Sequence, residues 1–181
     1  MNTRDMLLLI LDVAKIRGNT AIQKIAYFIS IKLGIDMNFF PHYYGPYSRN
    51  VALELQNLVD FNFVDDNIKF TKRNRIMHEY TLNDDGKKIV SVLKNKYKEE
   101  YEVIREIIKN IEDIFGQNYN ILSWAAKIHF ILKERGIPIS EEEIINLAKG
   151  YDWNLSDEEI ESAKKLLLAL KLVRITKVRR S

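Results

Sequence analysis

Cysteine is absent from the chain, which excludes disulfides, thiolate zinc sites and cysteine nucleophiles together. Proline is nearly as scarce, with 3 in 181 residues. The 7 glycines stand isolated, Gly34, Gly45, Gly116, Gly136 and Gly150 among them, so no glycine-rich phosphate loop is present. Long apolar runs are missing too. The longest early one, Met6 to Leu11, is bounded by Asp5 and Asp12, far short of the roughly 20 residues that span a bilayer. No small-residue cleavage site follows it. A soluble, cytoplasmic protein with no membrane partner is expected.

What is present is a folded composition. With 46% apolar and 29% charged residues, the chain is neither disordered nor membrane-embedded. Its length suffices to bury roughly 70% of the unfolded surface. The net charge of +3 conceals an uneven distribution. Residues 67–78 hold Lys69, Lys72, Arg73 and Arg75 without an acid, and residues 171–181 hold Lys171, Arg174, Lys177, Arg179 and Arg180 without one. These nine cations exceed the whole chain's net charge by six, so the remaining residues are acidic overall. Two compact basic segments on an acidic body suit polyanion binding. A solvated hairpin tip and a frayed tail would carry the same charges.

Apolar spacing divides the chain into elements. Asn2 or Thr3 caps a first helix running to about Arg17 and stopped by Gly18; Thr20 caps a second, stopped by Gly34. An aromatic stretch from Phe39 to Ser48 closes on a Gly-Pro turn, and Ser48 caps a third helix to about Asp60. The period then changes to alternation, giving short strands at 63–64, 68–71 and 76–82 with a basic turn at 72–75. Three helices followed by a basic-tipped hairpin is the order of a winged helix-turn-helix. Asn83 or Asp84 next starts a long helix over 84–115, a rod of roughly 45–50 Å. Along it Tyr97, Tyr101, Ile104, Ile108, Ile111 and Phe115 fall at alternating spacings of four and three, a heptad seam.

Helices follow over 121–135, 141–149 and 156–170, the last two opened by capping boxes Ser140/Glu143 and Ser156/Glu159, and a strand is expected over 172–178. This repeats the order of residues 3–64, with Gly18 and Gly136 in matching places, so a second, degenerate winged-helix-like unit is expected. The fold is therefore mainly α with a small β-hairpin. It divides into a winged helix-turn-helix domain over 1–83, a linking and dimerising helix over 84–118, and a C-terminal helical domain over 119–181.

The passage Tyr80-Thr81-Leu82 to Gly86-Lys87-Lys88 is similar to the strand-to-helix run of PadR- and MarR-like regulators, with Asn83 where many of them carry Thr. More specific is Ile22-Gln23-Lys24-Ile25-Ala26-Tyr27-Phe28 followed by His42-Tyr43-Tyr44-Gly45-Pro46-Tyr47-Ser48. It resembles the signature of the YwgA-like proteins and their phage-associated relatives, including the Panacea domain of SocA-type antitoxins. The stretch from Leu122 to Phe130 echoes a C-terminal helix of that group. The resemblance implies a winged-helix scaffold and no established chemistry.

On the third helix, Val51, Ala52, Leu55, Leu58 and Val59 share a core face. Opposite lie Arg49, Leu53, Gln56, Asn57 and Asp60, with Asn50 at the edge. Arg, Gln and Asn can pair with guanine and adenine edges, so Arg49, Asn50, Gln56 and Asn57 are candidate base readers. Lys69, Lys72, Arg73 and Arg75 are candidate phosphate contacts. Phe40, Tyr43, Tyr44 and Tyr47 either fill the gap between the second and third helices or offer a platform to a partner protein or to bases.

His42, His78 and His129 lack the company a metal site needs, and Ser48 lacks the glycines of a nucleophile elbow. The acidic runs 141–143 and 157–159 sit in first helical turns, where they favour the helix dipole. No enzyme, cofactor or metal is expected. The expected function is transcriptional regulation by a dimer on double-stranded DNA, joined through the seam of 97–115. The alternative is a protein-interaction module, antitoxin-like or an adaptor, on the same scaffold.

Overall fold

A computed structural model describes residues 1–70, 74, 76–115 and 119–174. Among them are eight helices and a small antiparallel sheet. Helix α1 (Thr3–Val13) is capped by Asn2, whose side chain accepts from the Asp5 N–H at 2.7 Å. Every residue from Met6 to Leu11 is buried, so the helix is enclosed on all sides. It ends four residues earlier than its apolar spacing predicts. The backbone extends at Ala14 and Ile16–Arg17 forms strand β1, with Ile16 opposite Tyr80 and Arg17 opposite Glu79. Gly18, expected to end the first helix, instead carries the chain from β1 into α2 (Asn19–Leu33) with φ +87°. Its carbonyl accepts the first N–H groups of that helix, so Thr20 lies inside it and is not its cap.

Helix α2 is the centre of the molecule. Residues Ala21 to Ser30 are all buried, Gln23, Lys24 and Ser30 included. Helix α3 (Arg49–Asp60) begins as expected at Ser48, whose hydroxyl accepts from the Val51 N–H. Strands β2 (Val64–Phe70) and β3 (Ile76–Leu82) pair in one continuous register from Val64–Leu82 to Phe70–Ile76, giving the sheet order β1-β3-β2. The two short pieces expected at 63–64 and 68–71 are thus one strand, because Asp65, Asp66 and Asn67 all have partners on β3.

The expected rod over 84–115 is bent. Helix α4 (Asp84–Lys96) and helix α5 (Lys98–Phe115) meet at Tyr97, which leaves helical geometry at φ −124° and ψ 49°. Cross-links to α1 hold the bend. Lys94 pairs with Asp12 at 2.6 Å, the Tyr101 hydroxyl donates to Asp12 at 2.5 Å, and Lys96 reaches Asp5 at 3.8 Å. Bending lets α4 lie on α1 and the sheet while α5 packs on α1, α2 and α8.

Helix α6 (Tyr119–Arg135) covers α2 from another side and packs on α7 (Glu141–Lys149) and α8 (Asp157–Ala169). Both expected capping boxes are present, at Ser140/Glu143 and Ser156/Glu159. Residues 172–174 of the expected last strand form no strand, and 175–178 lie outside the described residues. One apolar cluster runs from Met6 to Leu170 through all eight helices.

Candidate functional site

The loop before α3 is fastened from beneath by two polar side chains of α2. The Gln23 amide donates to the Ser48 carbonyl at 3.0 Å and accepts from the Ser48 N–H at 2.9 Å, imitating a backbone pair. From the next residue, the Lys24 ammonium donates to the Pro46 carbonyl at 2.6 Å. Ser48 completes the clamp, its hydroxyl donating to the Met37 carbonyl at 2.5 Å while capping α3. Gly45 is required there by both space and conformation. Its φ is +95°, and a Cβ would lie 3.1 Å from Lys127 Cγ and 3.3 Å from Lys24 Cε. The Gln-Lys and Tyr-Gly-Pro-Tyr-Ser stretches that stand out in the sequence are therefore two halves of one joint.

This joint holds an ionisable amine in the core. Lys24 is 1% exposed, and burial, with the nearby Lys127 ammonium adding to it, lowers its pKa from 10.5 to about 7. Lys127 is itself pushed down by burial, is favoured by Glu159, and sits 5.6 Å from the Trp153 ring. The Trp153 indole donates to the His42 carbonyl at 2.8 Å, so the C-terminal helices brace the same loop.

Above the clamp, α3 turns a polar side to solvent. Arg49, Asn50, Leu53, Gln56 and Asp60 are exposed, and Asn57 is half-buried. Arg49 lies over the Phe40 ring at 5.4 Å. Gln56 donates to Asp60 at 2.8 Å, and Asn57 donates to Glu54 at 3.3 Å, whose other oxygen accepts from Arg4 at 2.9 Å. Beside Gln56, a shallow hollow of about 200 Å³ opens between α2, α3 and β3, with Asn19, Tyr47 and Tyr80 in its walls.

The aromatic stretch splits in two. Phe40 and Tyr47 pair backbone to backbone at 3.0 and 2.9 Å and are half-buried. Tyr43 and Tyr44 stand out at 65% and 57% exposure, ring against ring.

The hairpin stem is neutralised more fully than its sequence suggests. Lys69 and Arg17 both pair with Glu79, at 2.5 and 2.7 Å, and their hydrogen bonds hold that carboxyl below its usual range. His78 pairs with Asp66 at 2.8 Å. Lys69 is thus committed to Glu79 and not held ready for phosphate. Lys72, Arg73 and Arg75 lie outside the described residues. Further out on one face of the hairpin, Ile68, Phe70 and Ile76 are exposed.

The dimer seam is corrected by its burial. Ile104, Ile108 and Ile111 lie in the core against neighbouring elements of their own chain, and Tyr97 and Tyr101 are engaged by Lys96 and by Asp12. The Phe115 side chain lies outside those described. A heptad spacing records an apolar stripe, and here the stripe is covered from within. Among the described residues no group of three or more His, Asp or Glu is placed to hold a metal ion, and no helix is long and apolar enough to cross a membrane. Sequence reasoning missed the clamp, although two polar residues in an apolar helix announce it. Neither the known protein-family models nor the curated proteins give a match to this chain.

Proposed function

We propose that the protein is a DNA-binding regulator of winged-helix type. The element order α1-β1-α2-α3-β2-β3 and the sheet order β1-β3-β2 support this reading. So does the YwgA-like resemblance. The observation that carries it is the solvent-facing side of α3, where Arg49, Asn50 and Gln56 are exposed on a helix whose other side is locked into the core. In this reading α3 enters a major groove, with Arg49, Asn50 and Gln56 toward base edges. The cations at 72–75 meet adjacent phosphates. Two copies reading two half-sites would join through a surface other than the α5 stripe.

The test is a gel-shift titration of the full chain with duplex DNA at several salt concentrations. Affinity is expected to fall steeply with salt, with a log–log slope of about −0.9 per phosphate contact. Arg49→Glu and the double variant Lys72→Glu/Arg73→Glu are each expected to weaken binding about tenfold or more. Affinity unchanged by either variant would refute the reading. A second reading, a module for protein contacts, is favoured by Tyr43 and Tyr44 and by the apolar hairpin face of Ile68, Phe70 and Ile76. Under it the chain ignores DNA at low salt, and substitutions at those residues, not at Arg49, abolish partner capture.

A further inference from the structure

A second opening lies away from the α3 side. A cleft of about 660 Å³ lies between the C-terminal end of α2, the segment that follows it, and the C-terminal half of α6. This is within the range of small-molecule sites, roughly 300–1,000 Å³. Its floor holds a buried polar pair. His129 is 7% exposed and Tyr27 is 1% exposed, and the Tyr27 hydroxyl lies 2.9 Å from His129 Nδ1.

The Tyr27 hydroxyl is the donor in that bond. Among the described residues the Tyr27 hydroxyl makes no other hydrogen bond. If it accepted from Nδ1, its own hydrogen would be buried without an acceptor, so it donates. The ring proton of His129 is therefore on Nε2, which has no partner among the described residues. Every fully buried side-chain nitrogen or oxygen described is satisfied. Nε2 is therefore not sealed in the core, and its N–H opens onto the cleft that His129 lines.

The rest of the cleft is amphoteric. Lys133 stands one turn along α6 from His129, exposed and without an ion pair among the described residues. Asp36 and Glu134 are also in the walls. Asp36 gives one oxygen to the Asn38 N–H at 2.9 Å, and Glu134 forms no ion pair among the described residues. Phe39 and Phe130 supply apolar walls. A buried N–H donor beside a free ammonium recognises a carboxylate. Two carboxylates against one ammonium disfavour a simple anion and suit a cationic amine on the same ligand.

We propose that this cleft binds a free α-amino acid with a large apolar side chain. Its carboxylate lies on His129 Nε2–H and Lys133, its ammonium faces Asp36 and Glu134, and its side chain lies between Phe39 and Phe130. The inference goes beyond the DNA reading and stands without it, since none of these residues belongs to α3 or the hairpin.

Calorimetric titration of the full chain with L-tryptophan and L-phenylalanine, with no DNA present, tests it. Parallel titrations use 3-phenylpropanoate, which lacks the amine, and 2-phenylethylamine, which lacks the carboxylate. Saturable binding of an amino acid is expected, with both analogues weaker by roughly tenfold. Lys133→Met and His129→Phe are each expected to weaken binding by a similar factor. Lys133 is exposed, so its variant folds whatever His129→Phe does. The proposal is overturned by no saturable binding up to about 10 mM, by unchanged affinity in Lys133→Met, or by either analogue binding as tightly as the amino acid. Loss of DNA binding alone leaves these titrations untouched.

Discussion

Replacing Lys24 with methionine should change how stability depends on pH, and the size of the change follows from burial. The folded-state pKa of about 7 lies well below the unfolded value of 10.5. Between those values the unfolded chain binds more protons, so stability rises with pH, by at most about 1.4 kcal/mol per unit. From about pH 7 to about pH 9 the wild-type chain should gain roughly 2 kcal/mol from this one amine. Read as a urea midpoint, that is a shift of about 1 M.

Methionine keeps the aliphatic stem and removes the titration. It also leaves the Pro46 carbonyl without its donor, costing roughly 1–3 kcal/mol. The two stability curves should therefore approach or cross near neutrality and separate at alkaline pH, the wild type on top. Lys127 is present in both proteins, so the difference between them reports Lys24 together with its coupling to Lys127. Parallel curves over that interval would show that the Lys24 amine is not desolvated in the fold, and the clamp as described would be wrong.

Three further outcomes are expected. Gly86→Ala should destabilise the chain by about 2 kcal/mol or more, since a Cβ there would lie 2.2 Å from the Phe63 carbonyl oxygen; a thermal midpoint unchanged from wild type would contradict it. Ile108→Asp should unfold the chain, at a penalty of several kcal/mol, and not yield a folded monomer, which circular dichroism with sedimentation would distinguish. Burial, with Lys133 adding to it, lowers the His129 pKa from 6.5 to about 4. Its contribution is therefore complete above about pH 6.5 and lost as pH falls toward 4, up to about 3 kcal/mol. Acid denaturation of His129→Phe should be flatter across that window, and an equal slope would place the imidazole in solvent.

What could be read from the sequence was what neighbouring residues decide. Ser48, Ser140 and Ser156 announce their helices because a cap is a contract between residues three apart. The hairpin is legible because alternation is local, although Asp65, Asp66 and Asn67 interrupt the pattern and hide that its first strand is continuous. The polar side of α3 follows from spacing alone. The errors concern partners distant in sequence. Strand β1 is two residues long and exists only because Tyr80 and Glu79, some sixty residues on, complete it. The bend at Tyr97 has no proline or glycine to mark it and is imposed by Asp5 and Asp12 of α1. The α5 stripe reads identically whether its cover is a second copy or the same chain. The cleft draws on α2, the segment after it and α6, over a hundred residues apart, and nothing in the local sequence shows that α6 packs on α2 and brings His129 to Tyr27.

Helix α2 touches protein on every side along its middle, which constrains how such a molecule can diverge. A helix with one wet flank can drift there without consequence, whereas each change between Ala21 and Ser30 must be answered by a change in α1, α3, α5 or α6. Kinship with distant chains should accordingly survive longest in this one helix and in the loop it grips, while the surfaces that meet other molecules are free to be rewritten around it.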